Sequence, residues 1–307
     1  MRIPLPLTLA CLSFPALVAC GSSEAKQSTS EAQITFQTLI TGDWQMPAGE
    51  EGYYCARKTI DQDMYVDGFE AINPPGTHHT LLTMGAPGAP DGVAPCNAAT
   101  NGPLSLFGSG VGTDRLMLPP GVALKIPAGT QLLLNLHLYN TGADVMTGLS
   151  GERVHVVPEN EVSIVAESIL AGTVAISIPA GQTKTTTGFC TMTGDTTLIA
   201  VAPHMHKLGV YEKVTAESSI DGDVVINDAP YDFNEQSFHL IDPVHMAGGD
   251  KVQVDCTHDN TTQAAVTFGE SSDSEMCFAG IYRYPATGNL FICSDDFLNM
   301  PRPDAGF

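Results

Sequence analysis

No stretch of this chain places its apolar residues at helical spacing. Its apolar runs are short, and 30 glycines and 21 prolines interrupt them. A chain punctuated in this way buries its side chains as short strands joined by turns. The sequence therefore predicts an all-β protein, and 307 residues allow two domains of ordinary size. The expectation is two tandem antiparallel β-sandwiches of jelly-roll type, 34–158 and 159–303. The boundary falls at Pro158-Glu159-Asn160-Glu161, where charge and a proline interrupt the strand pattern.

Strands are expected near 35–40, 49–55, 63–72, 131–140, 154–157, 173–178, 185–190, 198–206, 210–218 and 251–256. The segment 85–112 is rich in Gly, Pro, Ala and Asn and reads as a long loop. In 131–140, Leu132, Leu134, Leu136 and Leu138 share one face, and Leu133, Asn135, His137 and Tyr139 share the other. His137 is thus displayed beside an amide and a phenol, not sunk among leucines.

Lys plus Arg number 13 against 34 Asp plus Glu, a formal charge of -21. Such a surface cannot neutralise phosphates, so nucleic acid is excluded as a partner. Met1-Arg2 and the apolar stretch from Ile3 to Ala19 read as a secretion signal, 1–19. Leu17-Val18-Ala19-Cys20 resembles the bacterial lipobox, which implies cleavage before Cys20 and lipid on its sulfur and amine. The small, polar segment 20–33 is a flexible tether. An exported lipoprotein follows, anchored facing the periplasm or the exterior and touching the membrane only through Cys20. Of the 8 cysteines, Cys11 lies in the signal. Cys55, Cys96, Cys190, Cys256, Cys277 and Cys293 remain, an even set that predicts disulfides in an exported chain without choosing their pairing.

Five of the 9 histidines occur in three places: His78-His79, His137, and His204-x-His206. In the predicted strand 198–206, His204 and His206 leave the same face, roughly 7 Å apart at a rise of ~3.3 Å per residue. Two imidazoles so placed can converge on one metal ion. His78 and His79 are adjacent, so a regular strand would point them apart. The preceding Pro74-Pro75-Gly76 provides for the kink that would bring them together. His155, His239, His245 and His258 stand alone and read as structural. Met276 lies in a very polar run, followed directly by Cys277. Its thioether is a soft, neutral ligand that selects copper.

These pieces together resemble the copper type II, ascorbate-dependent monooxygenases, the family of peptidylglycine α-hydroxylating monooxygenase and dopamine β-hydroxylase. The resemblance rests on four motifs in family order: His78-His79-Thr80 after a Pro-Gly turn, Asn135-Leu136-His137-Leu138-Tyr139, His204-x-His206 with Leu208-Gly209, and Glu275-Met276-Cys277. It implies two coppers per chain. His78, His79 and His137 resemble the ligands of the electron-donating copper. His204, His206 and Met276 resemble those of the O2-binding copper, where the substrate C–H bond is hydroxylated with ascorbate as reductant. The family's coppers stand apart across an open cleft. The family pattern also implies the pairs Cys55–Cys96, Cys190–Cys293 and Cys256–Cys277.

The sequence departs from the peptidylglycine branch where that branch grips a carboxylate. Ala202 stands in place of its arginine, and Phe278 and Gly280 in place of its asparagine and tyrosine. A glycine-extended peptide is therefore not the expected substrate, and with the overall acidity an aromatic or aliphatic amine is the alternative. Tyr231 to Gln236 resembles a family segment near the second copper. Glu275 reads as a support for a ligand or a surface carboxylate, and Tyr53 as a neighbour of the first copper or simple core packing. Two other functions fit parts of the pattern. A lipoprotein that stores, delivers or senses copper without turnover needs no second site of different ligand type. A zinc hydrolase would use three histidines and a bound water, and Met276 argues against it.

Overall fold

The computed structural model describes residues 34–110, 112–269, 271–287 and 292–296. The predicted signal 1–19, the lipid site Cys20 and the tether 20–33 lie outside them. Strands make up 61% of the described residues, so the fold is all-β. Among the described residues the only helical piece is a single 3-10 turn, Glu159–Glu161.

The strands run β1 (Gln37–Met46), β2 (Glu51–Thr59), β3 (Met64–Ile72), β4 (Thr77–Gly85), β5 (Gly92–Pro95), β6 (Leu104–Gly110) and β7 (Leu116–Met117). Next come β8 (Val122–Ile126), β9 (Gln131–Tyr139), β10 (Met146–Val157), β11 (Ile164–Thr173), β12 (Ser177–Ile178), β13 (Thr183–Thr191) and β14 (Thr196–His204). The remainder are β15 (Gly209–Ser218), β16 (Gly222–Pro230), β17 (His239–Met246), β18 (Lys251–Asp259), β19 (Val266–Thr267), β20 (Cys277–Tyr284) and β21 (Ile292–Cys293).

Two packed cores follow from this order. In the first, β1-β10-β3-β8 faces β6-β4-β9-β2-β5. Leu132, Leu134, Leu136 and Leu138 of β9 fill the space between, fully buried with Phe69 and Phe107. In the second, β14 and β20 pack on the sheet β13-β18-β15-β16 through Val201, Ile281, Val214 and Val254. Strand β11 links the two. Ile164–Ala166 pairs parallel with β8, and Glu167–Thr173 pairs antiparallel with β20.

Several elements differ from the sequence expectation. The segment 85–112 is not one loop: β5 and β6 lie inside it, and Leu106 and Phe107 of β6 are buried in the first core. Strand β11 ends where the sequence placed the start of a strand. Strand β17 carries Pro243, tolerated because β17 pairs on one side only, with β14. Strand β14 stops at His204, because the chain turns over Met205, which is buried in the second core. His206 therefore lies beyond the strand that was to carry it.

The cysteines form Cys55–Cys96, Cys190–Cys293 and Cys256–Cys277. The first ties β2 to the segment covering the outer face of β9. The last ties β18 to the first residue of β20.

Candidate metal centre

The first set of imidazoles sits where β4, β9 and β2 run side by side. Opposite β9, the pairing of β4 slips between Thr77 and His79, so His78 is an extra residue. This bulge lets two consecutive histidines serve one place. It follows Gly76, whose φ is +96° and whose absent Cβ would lie 2.7 Å from the Trp44 ring. His137 faces His79 across the ladder and is buried. Its strand is covered on both faces. The Asn135 amide donates to the carbonyls of Asn97 and Thr100, at 3.0 Å each, and the Tyr53 ring stacks on His137 at 4.5 Å and 6°.

Here the protons are set by what lies outside the cluster. His137 Nε2 donates to Glu51 Oε1 at 2.6 Å, and His78 Nε2 lies 3.4 Å from Asn234 Oδ1. The Asn234 amide nitrogen is turned to Asp232, so its oxygen faces the histidine. Both rings then present an unprotonated Nδ1 inward. His78 Nδ1 lies 3.1 Å from His79 Nδ1, which lies 3.3 Å from His137 Nδ1. One Nδ1 holds one proton or one lone pair, so His79 cannot satisfy both neighbours. A cation with metal–nitrogen bonds of ~2.0 Å separates tetrahedral donors by roughly 3.3 Å, and the set fits such an ion. Burial depresses all three pKa values: His79 well below 6.5, and His137 to about 4. The rings stay neutral, the form that binds metal.

The second set has the reverse polarity. His206 Nδ1 donates to the Ser274 carbonyl at 3.0 Å, and His204 Nδ1 lies 2.8 Å from Gln236 Oε1. The Gln236 amide nitrogen donates to the Phe233 carbonyl, which fixes the oxygen toward His204. Nε2 is therefore the free donor of both rings, whose centroids are 5.7 Å apart at 83°. Burial lowers both pKa values, His204 to about 4. Met276 lines the same cavity as His204 and His206.

Glu275 holds this second set together. It is fully buried. Its carboxylate accepts the backbone N–H of His206 at 2.9 Å and of Leu208 at 2.7 Å. His258 Nε2 lies 3.3 Å from Glu275 Oε2 and 3.1 Å from the Met276 carbonyl. Burial alone would raise the Glu275 pKa, but the His258 contact and the two backbone amides outweigh it, and the net shift is downward. Glu275 is thus not a surface carboxylate, and His258, read from the sequence as structural, supports the ligand loop. A signal for His258 existed: it shares strand parity with Cys256, so it faces the Cys256–Cys277 bond and Met276 beyond it. Of the other solitary histidines, His155 pairs with Asp67 and His245 with Asp221, while His239 is exposed.

The segment 231–236 joins the two sets. Tyr231 donates its hydroxyl to the Met205 carbonyl. The Phe233 ring lies 4.6 Å from His78 and 6.3 Å from His206. His79, His204 and His206 all line one cavity of about 430 Å³. The Phe233 ring thus stands beside both sets.

The fold and the inward-facing imidazoles define an all-β protein with donors arranged for a transition metal. More particularly, residues 164–299 match the copper type II ascorbate-dependent monooxygenase C-terminal domain. The match includes His204, His206 and Met276; His78, His79 and His137 precede it. No curated protein matches the chain. Among solved structures, the infectious bursal disease virus VP2 subviral particle is 11% identical over 83% of this chain and 78% of its own, with a TM-score of 0.20. Dimeric latent PorU from Porphyromonas gingivalis is 8% identical over 78% of this chain and 25% of its own, with a TM-score of 0.19. Likeness at those TM-scores carries no argument.

Proposed function

We propose that this protein is a copper monooxygenase that binds two coppers and hydroxylates a C–H bond of a small organic substrate, using O2 and an external reductant of the ascorbate type. His78, His79 and His137 hold one copper through Nδ1. His204 and His206, through Nε2, hold the other with the Met276 thioether. Copper, when bound, supplies the one-electron chemistry by which this family couples O2 to a reductant. The protein's part is to keep five imidazoles neutral and aimed, and to hold substrate beside the second set.

The observation that carries this reading is the opposite proton placement at the two sets. Acceptors outside the first set take Nε2–H from His78 and His137, and acceptors outside the second take Nδ1–H from both rings. Each set is thereby left with its lone pairs on one side. A soft sulfur beside only one of them suits two coppers of different character. The cavity beside the second set favours turnover over storage.

The test is O2 uptake by copper-loaded protein. The expected result is uptake that requires ascorbate and product heavier by one oxygen, both lost in His204→Ala. Copper binding without ascorbate-dependent uptake would make the protein a carrier. The lipoprotein reading is tested separately: labelled fatty acid should enter the protein in its bacterial host and not enter Cys20→Ser.

A further inference from the structure

The cavity that meets His204, His206 and Met276 continues away from them along β6. Ser109 lies at the near end, where Thr80, next to His79, is its partner on β4. Ser105 lies at the far end, opposite Thr83, roughly 13 Å away at ~3.3 Å per residue. Between these ends the wall is apolar, with Leu81, Phe238, Phe278 and Leu170. The absent side chain of Gly280 matters here. A Cβ at that position would lie 2.9 Å from Phe238 Cζ, so the glycine lets the Phe238 ring form part of the wall.

Among the described residues lining this cavity there is no Asp, Glu, Lys or Arg. An ammonium or carboxylate inside would lose its hydration without a counter-charge. The polar groups present are uncharged, and three of them stand together at the far end. Ser105 and Ser168 are paired neighbours on β6 and β11, both line the cavity, and neither hydroxyl has a hydrogen-bond partner among the described residues. Asn101 lines the same end, and its buried Oδ1 is likewise without a partner. Its loop is held there by the Gly102 N–H, which donates to Thr83 Oγ1 at 2.7 Å.

From this geometry we infer the substrate class: an uncharged, elongated, largely apolar molecule carrying one hydroxyl or amide group, which binds Ser105, Ser168 and Asn101 while the apolar body reaches the second metal set. This rests on the monooxygenase reading for the purpose of the cavity, and it replaces the amine expected from net charge. None of the acidic residues behind the -21 charge lines this cavity among the described residues.

The test is calorimetric binding of four probes on one phenylhexyl frame to the full chain, with and without copper: 6-phenylhexan-1-ol, 6-phenylhexylamine, 6-phenylhexanoate and the parent phenylhexane. The alcohol should bind at least tenfold tighter than either ion. Ser105→Ala with Ser168→Ala should remove most of that preference while leaving the binding of phenylhexane unchanged. Gly108→Leu should weaken all the neutral probes, since a Cβ there has room and the side chain would enter the cavity. If the amine or the carboxylate binds as tightly as the alcohol, or if no neutral probe binds to protein that retains copper, the inference is overturned. Binding is read without turnover, so loss of O2 uptake with the alcohol preference intact would count against the monooxygenase reading alone.

Discussion

Glu275 shows how one side chain fixes a weak ligand. Its carboxylate collects N–H groups from His206 and Leu208 on one segment and the His258 ring on another, all in a region without solvent. Buried hydrogen bonds to a charged acceptor each contribute about 1.5–3 kcal/mol, and orphaning their donors costs a similar amount. Glu275→Ala should therefore destabilise the fold by several kcal/mol (about 3–5) and lower copper at the second set, as urea unfolding and metal analysis would show. An unchanged copper content would remove Glu275 from the account. Glu152 is the opposite case. It is fully buried, Thr80 and Ser109 donate to its Oε1, and its Oε2 has no partner. Burial raises its pKa to about 8 against those hydrogen bonds. Between pH ~4.5 and ~8 the folded state holds a proton that the unfolded state has released, so stability falls as pH rises, by about 1.4 kcal/mol per unit from this group. Glu152→Gln should flatten that part of the stability curve between pH 5 and 7.5, and parallel curves for the two proteins would contradict the assignment.

At the scale of elements, the ligands depend on places where strands stop being regular. The bulge at His78 follows Gly76, and a methyl group there would meet Trp44 in a backbone conformation that L side chains rarely adopt. Gly76→Ala should cost about 1–3 kcal/mol and lower copper at the first set while sparing the second, a difference that metal analysis can resolve. At the other set, Cys256–Cys277 binds β18 to the residue next to Met276. Closing a loop of about 20 residues contributes roughly 3 kcal/mol. Mild reduction should release copper from the second set before the near-ultraviolet circular dichroism of the fold changes, whereas simultaneous loss would mean that the bond serves only stability. How legible each element was in the sequence follows the same division. The β9 strand was legible because alternation puts Leu132, Leu134, Leu136 and Leu138 on the face opposite Asn135 and His137. The kink at His78 was legible because Pro-Pro-Gly precedes it. Strands β6 and β11 were obscured, one by glycines and prolines around it and the other by lying between two cores, where alternation no longer marks a face. The partners that set the histidine protons were out of reach: Glu51 precedes His137 by 86 residues and Gln236 follows His204 by 32. Only the folded chain brings them together.

Across the whole molecule, the two cores share β11, and the segment 231–236 crosses from one imidazole set to the other. A second link runs from Glu51, which binds His137, to the Ser272 hydroxyl at 3.3 Å, four residues before Met276. Both sets are thereby tied to one cavity, and moving either would move its wall. Two metal sites of different composition are expected in one chain. X-ray absorption on the copper(I)-loaded chain tests this most directly. Two coppers per chain are expected, with one sulfur neighbour shared between two absorbers. The sulfur signal should vanish in Met276→Ala, and copper should fall to about one per chain in either Met276→Ala or His137→Ala. A sulfur signal that survives Met276→Ala, or a single copper in the unaltered protein, would contradict it.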